Sequence, residues 1–287
     1  ADARVDAGAA WGVASLPSEP GRSGDEIVAA AASGDLKGLL VAGVEVDDLT
    51  DPHLAEAALA EAEFVVSLDI RSGDVSPHAD VVLPVAAVTE KAGSFVDWEG
   101  RVRTFDRVFQ EPSALPEVRI LAGIAEEMGV PFGFRTVEQA RAEMQSFGPW
   151  EGERPQFPAA PSAEATASVA QRPGEARLAT WKQLIDDGRM LDGDEYLKAT
   201  ARRPAALVSA DTLVDLGVEE GGLVTIAGER GSVELPVAVA DLPDGVVWAP
   251  TRSGGVSLTR ELGVGAGSTV RLEAGSPSPG PSEEGRA

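Results

Sequence analysis

Two apolar runs of strand length, Leu36 to Val46 (LKGLLVAGVEV) and Glu63 to Ile70 (EFVVSLDI), flank a segment that opens with Asp51-Pro52. Neither run alternates with polar residues, which is the pattern of a strand covered on both faces. Asp51 suits a helix N-cap and Pro52 the first helical position, where a missing N–H costs nothing and φ is already helical. Leu54, Ala58 and Ala62 then give the expected apolar stripe, with Glu56 and Glu61 toward solvent. Strand, helix and strand in about 35 residues make a right-handed parallel unit. The chain is therefore expected to build an α/β layer first.

Neighbouring segments extend that layer. A helix over Asp25 to Ala32 can be capped by Ser23 or Asp25 and ended by Gly34. A short buried strand, Asp80 to Pro84, is stopped by its proline and followed by a polar loop ending in Glu99-Gly100-Arg101. Helices are expected over Pro116 to Met128, burying Val118, Leu121, Ala122, Ile124, Ala125 and Met128, and over Val137 to Phe147. Residues 1–24 lack periodicity and read as an opening loop, so the layer is placed at 25–148. Residues 149–203 read as a Pro/Ala-rich linker, too poor in apolar surface to offset its ordering entropy, ending in an anchoring helix around Trp181, Leu184, Ile185, Met190 and Leu191.

After Arg202-Arg203-Pro204 the periodicity is that of strands. Runs at 205–209, 223–227, 232–240, 246–249 and 269–273 are broken by turn signals, above all Gly228-Glu229-Arg230-Gly231, and by a short helix, Thr212 to Leu216, expected to be capped by Asp211 and closed by Gly217. Short strands at this spacing point to a small β-barrel over 204–274. Residues 275–287 read as a disordered tail.

Composition narrows the chemistry. With no cysteine, the chain supplies no disulfide, thiolate nucleophile or Cys-ligated cluster, and His53 and His78 are too few and too isolated for a histidine metal site. A formal charge of -23 argues against nucleic acid and anionic membranes as partners. No apolar run approaches the roughly 20 residues of a membrane span, so no direct membrane insertion is expected. Gly263-Val264-Gly265-Ala266-Gly267 precedes a strand and fails the context of a dinucleotide loop, and the acidic pairs at 186–187 and 192–195 lack calcium-loop spacing. The chain begins with Ala and no signal pattern, which suits part of a longer protein.

The run ADVVLP, the later Glu-x-x-Gly-Ser-Phe step and Glu-Gly-Arg resemble the molybdopterin oxidoreductase family. The block ALVSADTLVDLGVEEGGLVTIAGERGSVELPVAVADLPDGVVWAP resembles the dinucleotide-binding barrel that closes that family's proteins, a double-psi barrel. The resemblance implies an α/β plus β fold: a partial parallel-sheet domain followed by a double-psi-type β-barrel. It also implies a cofactor cleft beyond the strand ends. Vestigial contacts would be Asp69, against a guanine edge or a loop N–H, and Glu99, Gly100 and Arg101, where Arg101 touches a pterin or pairs with a nearby acid.

Two positions and one segment depart from the family pattern. Glu45 and Asp97 stand where Asn is common, and Gly73-Asp74-Val75-Ser76-Pro77 replaces a polar Thr-Glu-Thr segment. Carboxylates at a diphosphate site repel it. The departures imply that molybdopterin binding is lost, as in the branch of the family found in respiratory complex I, the proton-pumping NADH:quinone oxidoreductase. EKAGSFVDWEGRVRTF and LPDGVVWAPTRSGG are similar to that branch. The resemblance then implies a structural, non-catalytic part of the large iron–sulfur subunit, with its clusters in an upstream portion or neighbouring subunits. Its partners would be the other peripheral-arm subunits, on the cytoplasmic side of the membrane. The alternative is half the cofactor cleft of an active enzyme of the formate dehydrogenase or nitrate reductase type.

Overall fold

The computed structural model describes residues 2–109, 114–148, 152 and 172–275. The chain divides into two compact units, Ala1–Val44 with Ala57–Ser162, and Glu45–Glu56 with Ala163–Ala287.

In the first unit, β1 (Gly38–Ala42), β2 (Phe64–Asp69) and β3 (Val81–Pro84) form a parallel sheet in the order β1-β2-β3, with Leu40 opposite Val66 and Leu68 opposite Leu83. Only the central strand is deeply buried: Val65, Ser67 and Leu68 are inaccessible, whereas Leu40 of β1 and Val82 of β3 are about half exposed. The expectation of doubly covered flanking strands is corrected here, because β1 and β3 are the sheet's outer strands among the described residues. Helix α3 (Pro52–Glu61) follows Asp51, whose carboxylate accepts the Leu54 N–H at 3.0 Å. Its buried stripe is Ala55, Ala58 and Leu59 rather than one through Leu54.

Residues 2–10, expected as loop, form helix α1 (Asp2–Ala10), and just beyond it the Trp11 Nε1–H donates to Glu143 while its ring meets Phe147 edge-on at 6.4 Å. Helix α2 (Gly24–Ala32) begins at Ser23, whose hydroxyl accepts the Glu26 N–H while Glu26 accepts the Ser23 N–H, a reciprocal capping box. The hairpin β4 (Gly93–Val96) and β5 (Val102–Phe105) follows, then α4 (Glu117–Glu127) and α5 (Val137–Ser146). Ile120, Leu121 and Ile124 of α4 pack on Leu68, Leu83 and Val85 of the sheet region. Met128, expected inside, is 74% exposed.

The second unit is a closed six-stranded barrel of β6 (Glu175–Trp181), β7 (Ala206–Val208), β8 (Leu223–Ala227), β9 (Ser232–Val239), β10 (Val246–Pro250) and β13 (Thr269–Ala274), in the order β10-β6-β13-β8-β9-β7. Two of its contacts, β10 with β6 and β7 with β9, are parallel, and the others are antiparallel. This is the double-psi-type barrel the sequence led one to expect. Its interior is lined by Leu178, Val208, Val224, Ile226, Val237, Val247 and Leu272, all nearly inaccessible. Helices α6 (Glu195–Lys198), α7 (Ala210–Leu216) and α8 (Leu258–Leu262) and a small pair, β11 (Arg252–Ser253) with β12 (Val256–Ser257), complete it.

Two boundaries shift. The barrel begins at Glu175, inside the stretch expected to be linker, and the anchoring helix is replaced by the end of β6, a 3-10 turn at Arg189–Leu191 and the single turn α6. Helix α7 is capped by Ser209, whose Oγ accepts the Thr212 N–H at 3.1 Å and donates to Asp244 at 2.6 Å, and not by Asp211. Most of the 149–171 linker, and the tail from 276, lie outside the described residues.

Candidate functional site

In an open parallel sheet the chemistry gathers beyond the strand C-termini, where loops leave backbone groups unpaired. Asp69 is at that end of β2. Its Oδ1 accepts the Ile70 N–H at 2.7 Å and its carbonyl accepts the Val85 N–H at 3.0 Å, so it shapes its own loop. Glu99, Gly100 and Arg101 form the turn of the β4–β5 hairpin with Asp97. Asp97 Oδ1 accepts the N–H groups of Glu99 (3.0 Å) and Arg101 (2.9 Å), and Gly100 takes φ +79°, a region that favours glycine. The Arg101 guanidinium pairs with Asp97 Oδ2 at 3.0 Å and with Glu99. The turn thus neutralises its only arginine with two carboxylates of its own. From the base of the hairpin, Gly93 and Phe105 present carbonyls to the Arg141 guanidinium of α5.

A second cluster carried no signal in sequence spacing. Residues 45–56, a strap belonging to the barrel unit, are seated by the buried Val46, Pro52 and Ala55. Their carboxylates meet cations from distant barrel positions. Arg252 donates to Glu45 at 2.5 Å, and its Nε is 3.7 Å from Asp47. Arg260 spans Asp47 at 2.7 Å and Glu56 at 2.8 Å. Glu45 also accepts the Arg189 N–H at 3.1 Å, and Lys182 reaches Asp48 at 3.1 Å. Glu45 and Asp47 are only 15% and 14% exposed, so their pairs with Arg252 and Arg260 are part-buried, whereas Glu56, at 44%, and the Lys182–Asp48 pair lie at the surface.

Midway along the strap, Arg230 grips Asp51 through two bonds of 2.6 and 2.5 Å, the fork geometry that suits a carboxylate best. The Arg230 hydrogen bond, helped by the Leu54 N–H, holds the Asp51 carboxyl at about 2, below its ordinary 3.8. A depressed acid stabilises the folded state above its unfolded pKa and loses that contribution as pH falls through the folded one. The barrel is therefore expected to lose stability between pH 3.8 and about 2, and Asp51→Asn to flatten that part of the profile. Melting curves of the two proteins across this range check it; parallel profiles would contradict the assignment.

The barrel also carries a cavity of about 550 Å³ lined by Gln183, Leu184, Ile185, Arg202, Arg203 and Trp248 among others. It lies beside the loop that leads from β6 to β7.

Neither charged cluster fits a pterin diphosphate. Such a ligand needs uncommitted donors and cations. Arg101 is held by Asp97 and Glu99, and Arg252 and Arg260 by the strap, so each cluster already carries its anion.

Comparison with known proteins agrees with this architecture. Residues 3–126 match the molybdopterin oxidoreductase family and residues 177–277 the molydopterin dinucleotide binding domain. The G subunit of NADH-quinone oxidoreductase from Mycobacterium bovis is 44% identical over 277 residues, 96% of this chain and 34% of the relative. The corresponding protein of Streptomyces coelicolor is 44% identical over 283 residues, 96% of this chain and 33% of the relative. The chain thus spans about a third of the length of the curated relatives it matches. Among solved structures, acetylene hydratase from Pelobacter acetylenicus superposes with a TM-score of 0.52 at 17% identity, covering 79% of this chain and 39% of that one, a likeness of fold.

Proposed function

The chain belongs to the molybdopterin oxidoreductase family, and from that premise we propose that it is a structural, non-catalytic part of the G subunit, the large iron–sulfur subunit, of a proton-pumping NADH:quinone oxidoreductase, respiratory complex I. In this reading it supports electron transfer from NADH to quinone by holding neighbouring parts of the peripheral arm, on the cytoplasmic side of the membrane. Iron–sulfur clusters belong to the rest of the parent protein or to adjacent subunits. No helix among the described residues is long and apolar enough to cross a membrane, which suits a peripheral part.

The observation that carries the non-catalytic reading is the strap. Arg252 and Arg260, two cations of the barrel unit, are taken up by Glu45, Asp47 and Glu56 of the same chain. A diphosphate entering there would have to displace carboxylates from part-buried ion pairs, at the cost of leaving them unpaired.

The test is elemental analysis of the purified assembly that contains this polypeptide. Molybdenum and tungsten are expected far below one atom per complex. Stoichiometric metal bound through these residues would favour the other reading, half the cofactor cleft of a formate dehydrogenase or nitrate reductase type enzyme.

A further inference from the structure

The loop that joins β6 to β7, residues 182–205, is anomalous for a surface connection in so acidic a chain. Large apolar side chains on and beside it face solvent: Trp181 is 75% exposed, Leu184 98%, Met190 97% and Tyr196 91%. Burying side chains of this size is ordinarily favourable, so several of them left outside on one loop mark an unfinished interface. Leu184 also stands on the rim of the 550 Å³ cavity, whose wall continues through Ile185, Leu207 and Trp248.

Arg202 and Arg203 line the same cavity. Among the described residues neither makes an ion pair or hydrogen bond, whereas Arg230, Arg252 and Arg260 of the barrel are all matched with carboxylates. In a chain of net charge -23, two adjacent arginines left without an acid beside an apolar hollow form a local inversion of charge. Aromatic and arginine side chains around an apolar pocket are the chemistry of protein interface anchors.

We propose that this face docks an acidic segment of another subunit, one that places a bulky apolar side chain into the cavity against Trp248 and carboxylates on Arg202 and Arg203. A second copy of this chain is disfavoured by its own charge. The large apolar side chains that the same loop leaves in water favour a polypeptide over a small anion, which would not cover Leu184, Met190 or Tyr196. The proposal rests on the reading of the chain as part of a multisubunit assembly.

The experiment uses the intact polypeptide in its assembly. A photo-crosslinking residue in place of Leu184 is expected to join one other subunit, at a peptide rich in Asp or Glu. Arg202→Glu with Arg203→Glu is expected to lower retention of that subunit about ten-fold in an affinity purification, while Arg202→Lys with Arg203→Lys keeps most of it, since charge is preserved. Crosslinks confined to the same polypeptide, crosslinks to a basic segment, no crosslink at all, or unchanged retention of the double Glu variant would each overturn the docking proposal. So would a small anion co-purifying in the cavity and lost in the Glu variant. If the wild-type polypeptide purifies without any NADH-quinone oxidoreductase subunit, it is the assembly reading that fails, and the two failures are thereby separated.

Discussion

Arg252→Ala is expected to lower the stability of the barrel unit by about 2–3 kcal/mol, an effect out of proportion to an ordinary ion pair. The reason lies in what remains. Among the described residues, Glu45, 15% exposed, would keep the Arg189 N–H as its donor, and Asp47, 14% exposed, would keep Arg260 as its cation. A part-buried carboxylate without its cation bears most of its desolvation cost, and that cost, more than the lost attraction, sets the magnitude. Partial exposure of Arg252, at 25%, brings the expected value below that of a fully buried pair. Combining Arg252→Met with Glu45→Gln should recover much of the loss, because it removes the stranded charge as well as the pair and leaves Asp47 with Arg260. Hydrogen exchange at the amides of Val224 and Leu272, inside the barrel ladders, reads the change in the intact protein. A loss below about 0.5 kcal/mol for the single variant would mean that water already compensates the strap.

The contrast with Arg230 and Asp51 is instructive. Their fork is geometrically better, yet Arg230 is 42% exposed, so its removal is expected to matter less than that of Arg252. Burial, not hydrogen-bond length, decides which arginine of the strap is structurally costly to lose.

Those pairs also mark the limit of what the sequence could disclose. Glu45 stood out only against the Asn common at that place in the resembling family, and its partner lies 207 positions away with no local pattern to announce it. Strand β2 was readable from its unbroken apolar run, since a central parallel strand is selected for hydrophobicity along its whole length. The flanking strands β1 and β3 have the same composition and a different burial, because composition reports the neighbours a strand prefers and not those it has. Strand β6 was missed for the opposite reason: GEARLATW alternates, with Ala176 and Leu178 turned inward, but it follows a proline-rich stretch whose character masks a short half-buried pattern. The hairpin turn was legible residue by residue, since Asp97, Glu99, Gly100 and Arg101 are close enough in sequence to complete one another. The cavity was not, for Trp248 and Arg202 line one hollow only because β10 and β7 are neighbours in the barrel.

The largest steric effect is expected at Gly228, where alanine should destabilise the barrel by about 3 kcal/mol. Gly228 opens the turn between β8 and β9, where its N–H donates to the Gly231 carbonyl at 2.8 Å. A Cβ built there would fall inside van der Waals distance of the Leu262 carbonyl oxygen, 2.7 Å from the Leu262 Cβ and 2.9 Å from its carbonyl carbon. Leu262 ends α8, is fully buried, and its carbonyl accepts the Arg230 N–H at 3.1 Å. Backbone, not a flexible side-chain tip, stands in the way, so relief requires α8 to move off the turn. That movement would also displace Arg230 from Asp51, coupling a one-carbon change to the middle of the strap. Gly265 supplies the control: it follows the same helix, has ordinary φ, and a Cβ added to it would meet nothing within 4 Å, so Gly265→Ala is expected to change stability by less than about 0.5 kcal/mol. Urea unfolding monitored by exchange at the Val224 amide distinguishes them. Equal midpoints for the two variants would show that α8 yields to the turn at little cost, and that the close approach of Gly228 to Leu262 is not what holds this end of the barrel.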